Sequence, residues 1–117
     1  MRDWAALRER YLRDKLPVRL GGLAANLARV RSFADHPAHG EVVEALLEES
    51  KFLVEWSAPE VEAESQAELV ELQIILVRWQ RAWSSIWVDP ERRAAVAEQA
   101  GAWSERVLEM SGLLRRG

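Results

Sequence analysis

The sequence predicts an all-α fold: an antiparallel up-down-up-down four-helix bundle over about residues 18–115, with an additional short helix at residues 3–15. Three observations carry that expectation. Apolar residues recur in four stripes that share one period, the joints between stripes hold residues that start and stop helices, and no segment alternates with period two for long enough to form a strand.

The stripes follow one another along the chain. Leu20, Leu23, Leu27, Val30 and Ala34 step by three and four residues, and Val43, Leu46, Ser50, Leu53 and Ser57 repeat the pattern. Leu69, Leu72, Leu76, Trp79, Trp83 and Ile86 form the third stripe, and Val96, Ala100, Trp103, Val107, Met110 and Leu114 the fourth. Such an alternation keeps one narrow seam turned toward a partner helix, as in bundles and coiled coils. The shorter helix ahead of Pro17 carries Trp4, Leu7, Tyr11 and Leu12.

The joints have the matching chemistry. Asp89-Pro90-Glu91 reads as an N-cap, a proline at the first helical position and an acid in the first turn. Ser57-Ala58-Pro59-Glu60 has capping-box spacing, and the segment from His36 to Gly40 reads as another helix start with a proline. Joints this short make consecutive helices antiparallel neighbours. Pro59 has a second reading, as a kink within one long helix, which would change the topology. The small residues Gly21, Gly22, Ala24 and Ala25 fit close helix approach. No strand precedes them and no lysine-serine pair follows, as a phosphate-binding loop requires.

Residues 1–117 are expected to form a single domain. The chain has no cysteine, which removes disulfides, thiol nucleophiles and cysteine metal sites from consideration. Charges interrupt the opening MRDWAALRER, unlike a signal peptide, and the longest aliphatic run, Ile74 to Val77, is too short for a transmembrane segment. The expected location is cytoplasmic. Fourteen arginines against two lysines point to a GC-rich bacterial genome. The small net charge of −3 conceals a balance of +5 in residues 1–31, −10 in residues 32–77 and +2 in residues 78–117. A basic first segment lying against an acidic middle accounts for this more simply than a nucleic-acid tail does.

Trp79, Trp83 and Trp87 stand four residues apart. The first two occupy seam positions, as does Trp103, so burial is their expected fate, while Trp87 lies beside the seam. Ser50 and Ser57 stand where leucine would be usual, and Ser84, Ser85 and Ser104 lie nearby. Together they suggest a tryptophan–serine layer in which hydroxyls accept indole N–H groups.

Surplus apolar residues lie off the seams: Val70, Ile74 and Val77 on the third stripe's helix, and Phe52 and Trp56 on the second's. Either the N-terminal helix covers one of these patches or another chain does. With Trp87 they form the expected interaction surface: Phe52, Trp56, Val70, Ile74, Val77 and Trp87. The partner is another protein or a second copy, a two-fold homodimer being the commonest closed solution.

Catalysis and cofactors find little support. His36 and His39 sit with Asp35 and Glu41, but there is no H-E-x-x-H helix and no paired Glu-x-x-His motif, so no metal or cofactor is expected. No G-x-S-x-G elbow accompanies the serines, and Glu48 and Glu49 point in different directions on a helix. Arg8, Arg13, Lys15 and Arg19 could gather near the first joint, but nucleic acid is not the expected partner because no binding signature joins them. The sequence therefore reads as a non-enzymatic helical interaction or scaffold module that self-associates. The alternative is a helical-bundle binding protein holding an apolar ligand or pigment-like cofactor against the indoles.

Overall fold

The computed structural model describes residues 3–114; the outermost residues of the 1–117 unit, and Arg115 at the end of the expected bundle, lie outside that range. Within it the chain is helical, with no strand among the described residues. Six α-helices follow in order: α1 (Trp4–Arg13), α2 (Leu16–Phe33), α3 (Gly40–Ser57), α4 (Ala63–Arg81), α5 (Trp83–Trp87) and α6 (Pro90–Ser111).

Their boundaries have local causes. Asp3 caps α1 by accepting the Ala6 N–H at 3.0 Å, and Pro17 occupies the first turn of α2, where its missing N–H costs nothing. His36 is extended, the conformation favoured before a proline, and its Nδ1 accepts the Ala38 N–H at 3.1 Å. Asp89 caps α6 through the N–H groups of Glu91 and Arg92, and the helix stops at Gly112, whose φ of 72° glycine tolerates.

Pro59 ends a helix rather than kinking one. It sits in a single 3-10 turn, Ala58–Glu60, after which Val61 is extended and the chain reverses into α4. The expected capping box there does not form. Ser57 Oγ bonds to the Tyr11 hydroxyl at 3.0 Å and Glu60 pairs with Arg19, so both side chains serve distant partners. The Ala58 carbonyl instead accepts from Gln66 Nε2 at 2.8 Å.

A further departure from the sequence reading is the break at Ala82, where φ −98° and ψ 9° divide the third stripe into α4 and α5. The Ala82 carbonyl accepts the Ser85 hydroxyl at 2.9 Å besides two backbone N–H groups. Trp83 and Ile86 stay buried across the break.

α2 packs against both α6 and α3, α3 against α4, and α5 against α6 and α4. The four stripes supply most of the core, with Leu20, Leu23, Leu27, Leu69, Leu72, Leu76 and Val107 shut away from solvent; in α3 it is Leu47, outside the expected stripe, that is fully buried, while Leu46 is half-buried. Trp103, expected to be buried, is only half-buried in the middle of the fourth stripe, and at the end of that stripe Met110 is half-buried and Leu114 exposed. Gly21 lets the chain after α6 approach α2, because a Cβ there would stand 2.8 Å from Leu113 Cδ1. The radius of gyration, 14.0 Å, is close to the value of about 13 Å expected for a globule of this size. Among the described residues, no helix is long and apolar enough to cross a membrane.

Candidate interaction surface

The six residues expected to form one apolar surface separate into three places. Phe52 and Trp56 are covered from within the chain. Trp4 of α1 lies over Phe52 with ring centroids 4.4 Å apart, Phe52 is 5.6 Å from Trp56, and Tyr11 closes the row 6.0 Å from Trp56. Thus α1 takes up the off-seam patch of α3.

That docking has a polar anchor. Arg19 is 5 % exposed and donates to both carboxylate oxygens of Glu60, at 2.6 and 2.7 Å, and through Nε to the Asp14 carbonyl at 3.0 Å. Tyr11 donates to the Arg19 carbonyl at 2.6 Å and meets Ser57. Burial is the main cause that pushes the Tyr11 hydroxyl up to about 12. Hydrogen bonding from Arg19 holds the Glu60 carboxyl below its ordinary range. The anchor removes Arg19 from the basic group considered for nucleic acid, and Arg13 is engaged with Glu9 at 3.0 Å.

Trp87 serves the far end of the molecule. Its indole N–H donates to the Pro37 carbonyl at 2.9 Å, its ring lies 5.1 Å from Trp83, and Arg93 sits over its other part at 5.3 Å. Gly40 makes this possible, since a Cβ there would come 2.7 Å from the indole nitrogen. An open groove of about 420 Å³ runs beside it, lined by Glu41, Glu44, Trp83 and Trp87 among others. The three tryptophans therefore do not share one chamber. Trp79 and Trp83 are core residues, and Trp87 latches the joint before α3 to α5.

Nor do the serines form the expected layer with the indoles. Ser57 serves Tyr11, Ser104 donates to the Ala24 carbonyl at 2.7 Å, Ser85 donates to Ala82, and Ser50 Oγ is buried with no partner. His36 and His39 stack 5.1 Å apart beside Phe33, and among the described residues no group of three or more His, Asp or Glu side chains is placed to hold a metal ion.

What is left uncovered is the outer side of α4. Its inner side, Leu69, Leu72, Leu76 and Trp79, faces the core, while Val70 is 51 % exposed, Ile74 46 % exposed and Val77 half-buried. These three branched side chains step by four and three residues, so they stand in one row. On one flank Gln66 donates to the Ala58 carbonyl in the turn after α3, and Gln73 donates to the Lys51 carbonyl of α3. An apolar groove of about 370 Å³ continues the row there between Val54, Ala58, Pro59, Leu69 and Val70. On the other flank Glu71, Ile74, Ile75 and Arg78 line a shallow depression of about 260 Å³. Glu71 and Arg78 are exposed and make no ion pair among the described residues. Glu71 and Arg78 escaped the sequence reading because a charge on an exposed helix face is ordinary. Their signal was position, each one residue beyond a valine of the row.

No family model, curated protein or solved structure matches the chain.

Proposed function

We propose that the protein is a non-enzymatic helical interaction module of the bacterial cytoplasm, docking through the outer row of α4 with a second copy as its partner. In this reading α2, α3, α4 and α6 are the rods of an up-down-up-down bundle, and α1 is a clasp laid over one side of it. The observation that carries the proposal is the row Val70, Ile74 and Val77, aliphatic and uncovered on a helix whose opposite side is already buried in the core. A helix apolar on two sides is normally enclosed on both, and α1, the one helix free to act as a cover, is spent on Phe52 and Trp56.

The size of the row sets the strength of the contact. Three aliphatics per copy give an interface below the standard size, and the cost of association consumes much of their burial energy. Self-association should therefore be reversible and concentration-dependent. Sedimentation equilibrium over a range of micromolar concentrations tests this. The expected result is a monomer–dimer equilibrium that Ile74→Asp moves to monomer without changing the helical circular dichroism. A wild-type monomer at every concentration would overturn the reading.

A further inference from the structure

The row on α4 has unlike flanks, and their charges specify how two copies can meet. Val70, Ile74 and Val77 occupy the centre of a seven-residue cycle. Gln66, Gln73 and Gln80 run along one side, all neutral, with the first two tied to the α3 side by hydrogen bonds. Glu71 and Arg78 run along the other, exposed, seven residues apart and without an ion-pair partner among the described residues. Seven residues of helix rise about 10 Å, which is too far for Glu71 and Arg78 of one chain to pair with each other.

When two identical helices pair in parallel, each flank meets the opposite flank of the other helix, and Glu71 and Arg78 would both face glutamine. When they pair antiparallel, like flank meets like flank. The glutamines then face glutamines, and Glu71 of each copy comes beside Arg78 of the other. A two-fold axis next to Ile74 also sets Val70 opposite the second copy's Val77 and Ile74 against its own image. One orientation thus satisfies the apolar row and both charges twice over.

We infer that two copies join α4 to α4, antiparallel about a two-fold axis at Ile74, with reciprocal Glu71–Arg78 ion pairs. This inference rests on the self-association proposed above and adds its orientation and register. Charge complementarity selects a second copy over an unrelated partner, because acid and base on one flank complement themselves under a two-fold axis.

Charge reversal tests it. Glu71→Arg places two arginines against two arginines in its own dimer, and Arg78→Glu places acids against acids. Each variant alone should dimerise about ten-fold more weakly than wild type, and both remain folded because the two side chains are exposed. Mixed in equal amounts, the two variants regain both attractive pairs. The mixture should form a heterodimer with an affinity within about three-fold of the wild-type homodimer. Sedimentation of each variant and of the mixture, with circular dichroism as the folding control, gives the answer. Weakened single variants that fail to recover on mixing would overturn the register, as would single variants that dimerise like wild type, while the self-association reading stands. A wild-type monomer at all concentrations would overturn both.

Discussion

At the residue scale the structure is decided by where hydroxyls find partners. Ser50 and Ser57 occupy equivalent positions on one stripe, and both are fully buried. Ser57 meets the Tyr11 hydroxyl at 3.0 Å, whereas Ser50 Oγ has no partner. The difference makes opposite demands on stability. Removing the Ser57 hydroxyl takes one of the two bonds of the Tyr11 hydroxyl, which keeps its bond to the Arg19 carbonyl, at a cost of about 0.5–1.5 kcal/mol, while removing the unsatisfied Ser50 hydroxyl relieves a desolvated group. Ser57→Ala should therefore lower the unfolding free energy measured by urea titration by that amount, and Ser50→Ala should leave it unchanged or raise it. Equal losses in the two variants would show that serine volume matters and hydrogen bonding does not. The burial of both positions was legible in the 3–4 spacing, but their partners were not. Tyr11 lies 46 residues from Ser57, and capping-box spacing is a local cue with no access to a partner so remote.

At the scale of elements, the same distinction separates what periodicity can show from what it cannot. The seams of α2, α3, α4 and α6 follow from side-chain spacing, and Asp89 and Pro90 start α6 as local chemistry requires. The break at Ala82 has no glycine or proline to announce it. There Ala82 turns to φ −98° and ψ 9°, and its carbonyl accepts the Ser85 hydroxyl in addition to the N–H groups of Ser85 and Ile86, while Trp83 and Ile86 remain held by the core. For the interaction surface, the off-seam residues were identifiable, but which of them α1 would cover depended on Arg19. A lone arginine near a proline reads as surface charge, yet here it clamps the end of α1 to the turn before α4 through Asp14 and Glu60. Weakening the clamp should loosen α1 selectively. In Glu60→Gln the buried guanidinium loses its anionic partner, and trypsin should cut at the exposed Arg8, Arg10 and Arg13 faster than in wild type, with the rest of the chain still protected. Unchanged cleavage at these arginines would show that the aromatic row Trp4–Phe52–Trp56–Tyr11 holds α1 without help.

At the scale of the whole molecule, ion pairs join the charge blocks visible in the sequence. Arg19 from the basic first segment meets Glu60 of the acidic middle, and Arg106 from the last segment meets Glu68, with its Nε 2.7 Å from a carboxylate oxygen. The middle is thereby tied to both ends, and the fold should respond to pH at both extremes. Glu60 is held below its ordinary range by hydrogen bonding from Arg19, so its contribution is present at neutral pH and is lost as pH falls through that range. Tyr11 acts in the opposite direction. Its proton is bound more tightly in the folded chain, with the pKa raised from 10.0 to about 12, so the stabilisation is complete below about pH 10 and disappears as pH rises toward 12. A shift of that size corresponds to about 2–3 kcal/mol. Tyr11 is the only tyrosine in the chain, which makes the tyrosinate absorbance report on this one group. Folded protein should therefore resist phenol ionisation at pH 10, where urea-unfolded protein is half ionised. Between pH 10 and 12 the unfolding free energy of wild type should fall more steeply than that of Tyr11→Phe, because the substitution removes the titrating group while the arginines stay charged. If the phenol of the folded protein ionises at its ordinary value, Tyr11 is open to water, and the anchor of α1 to Arg19 and Ser57 does not hold.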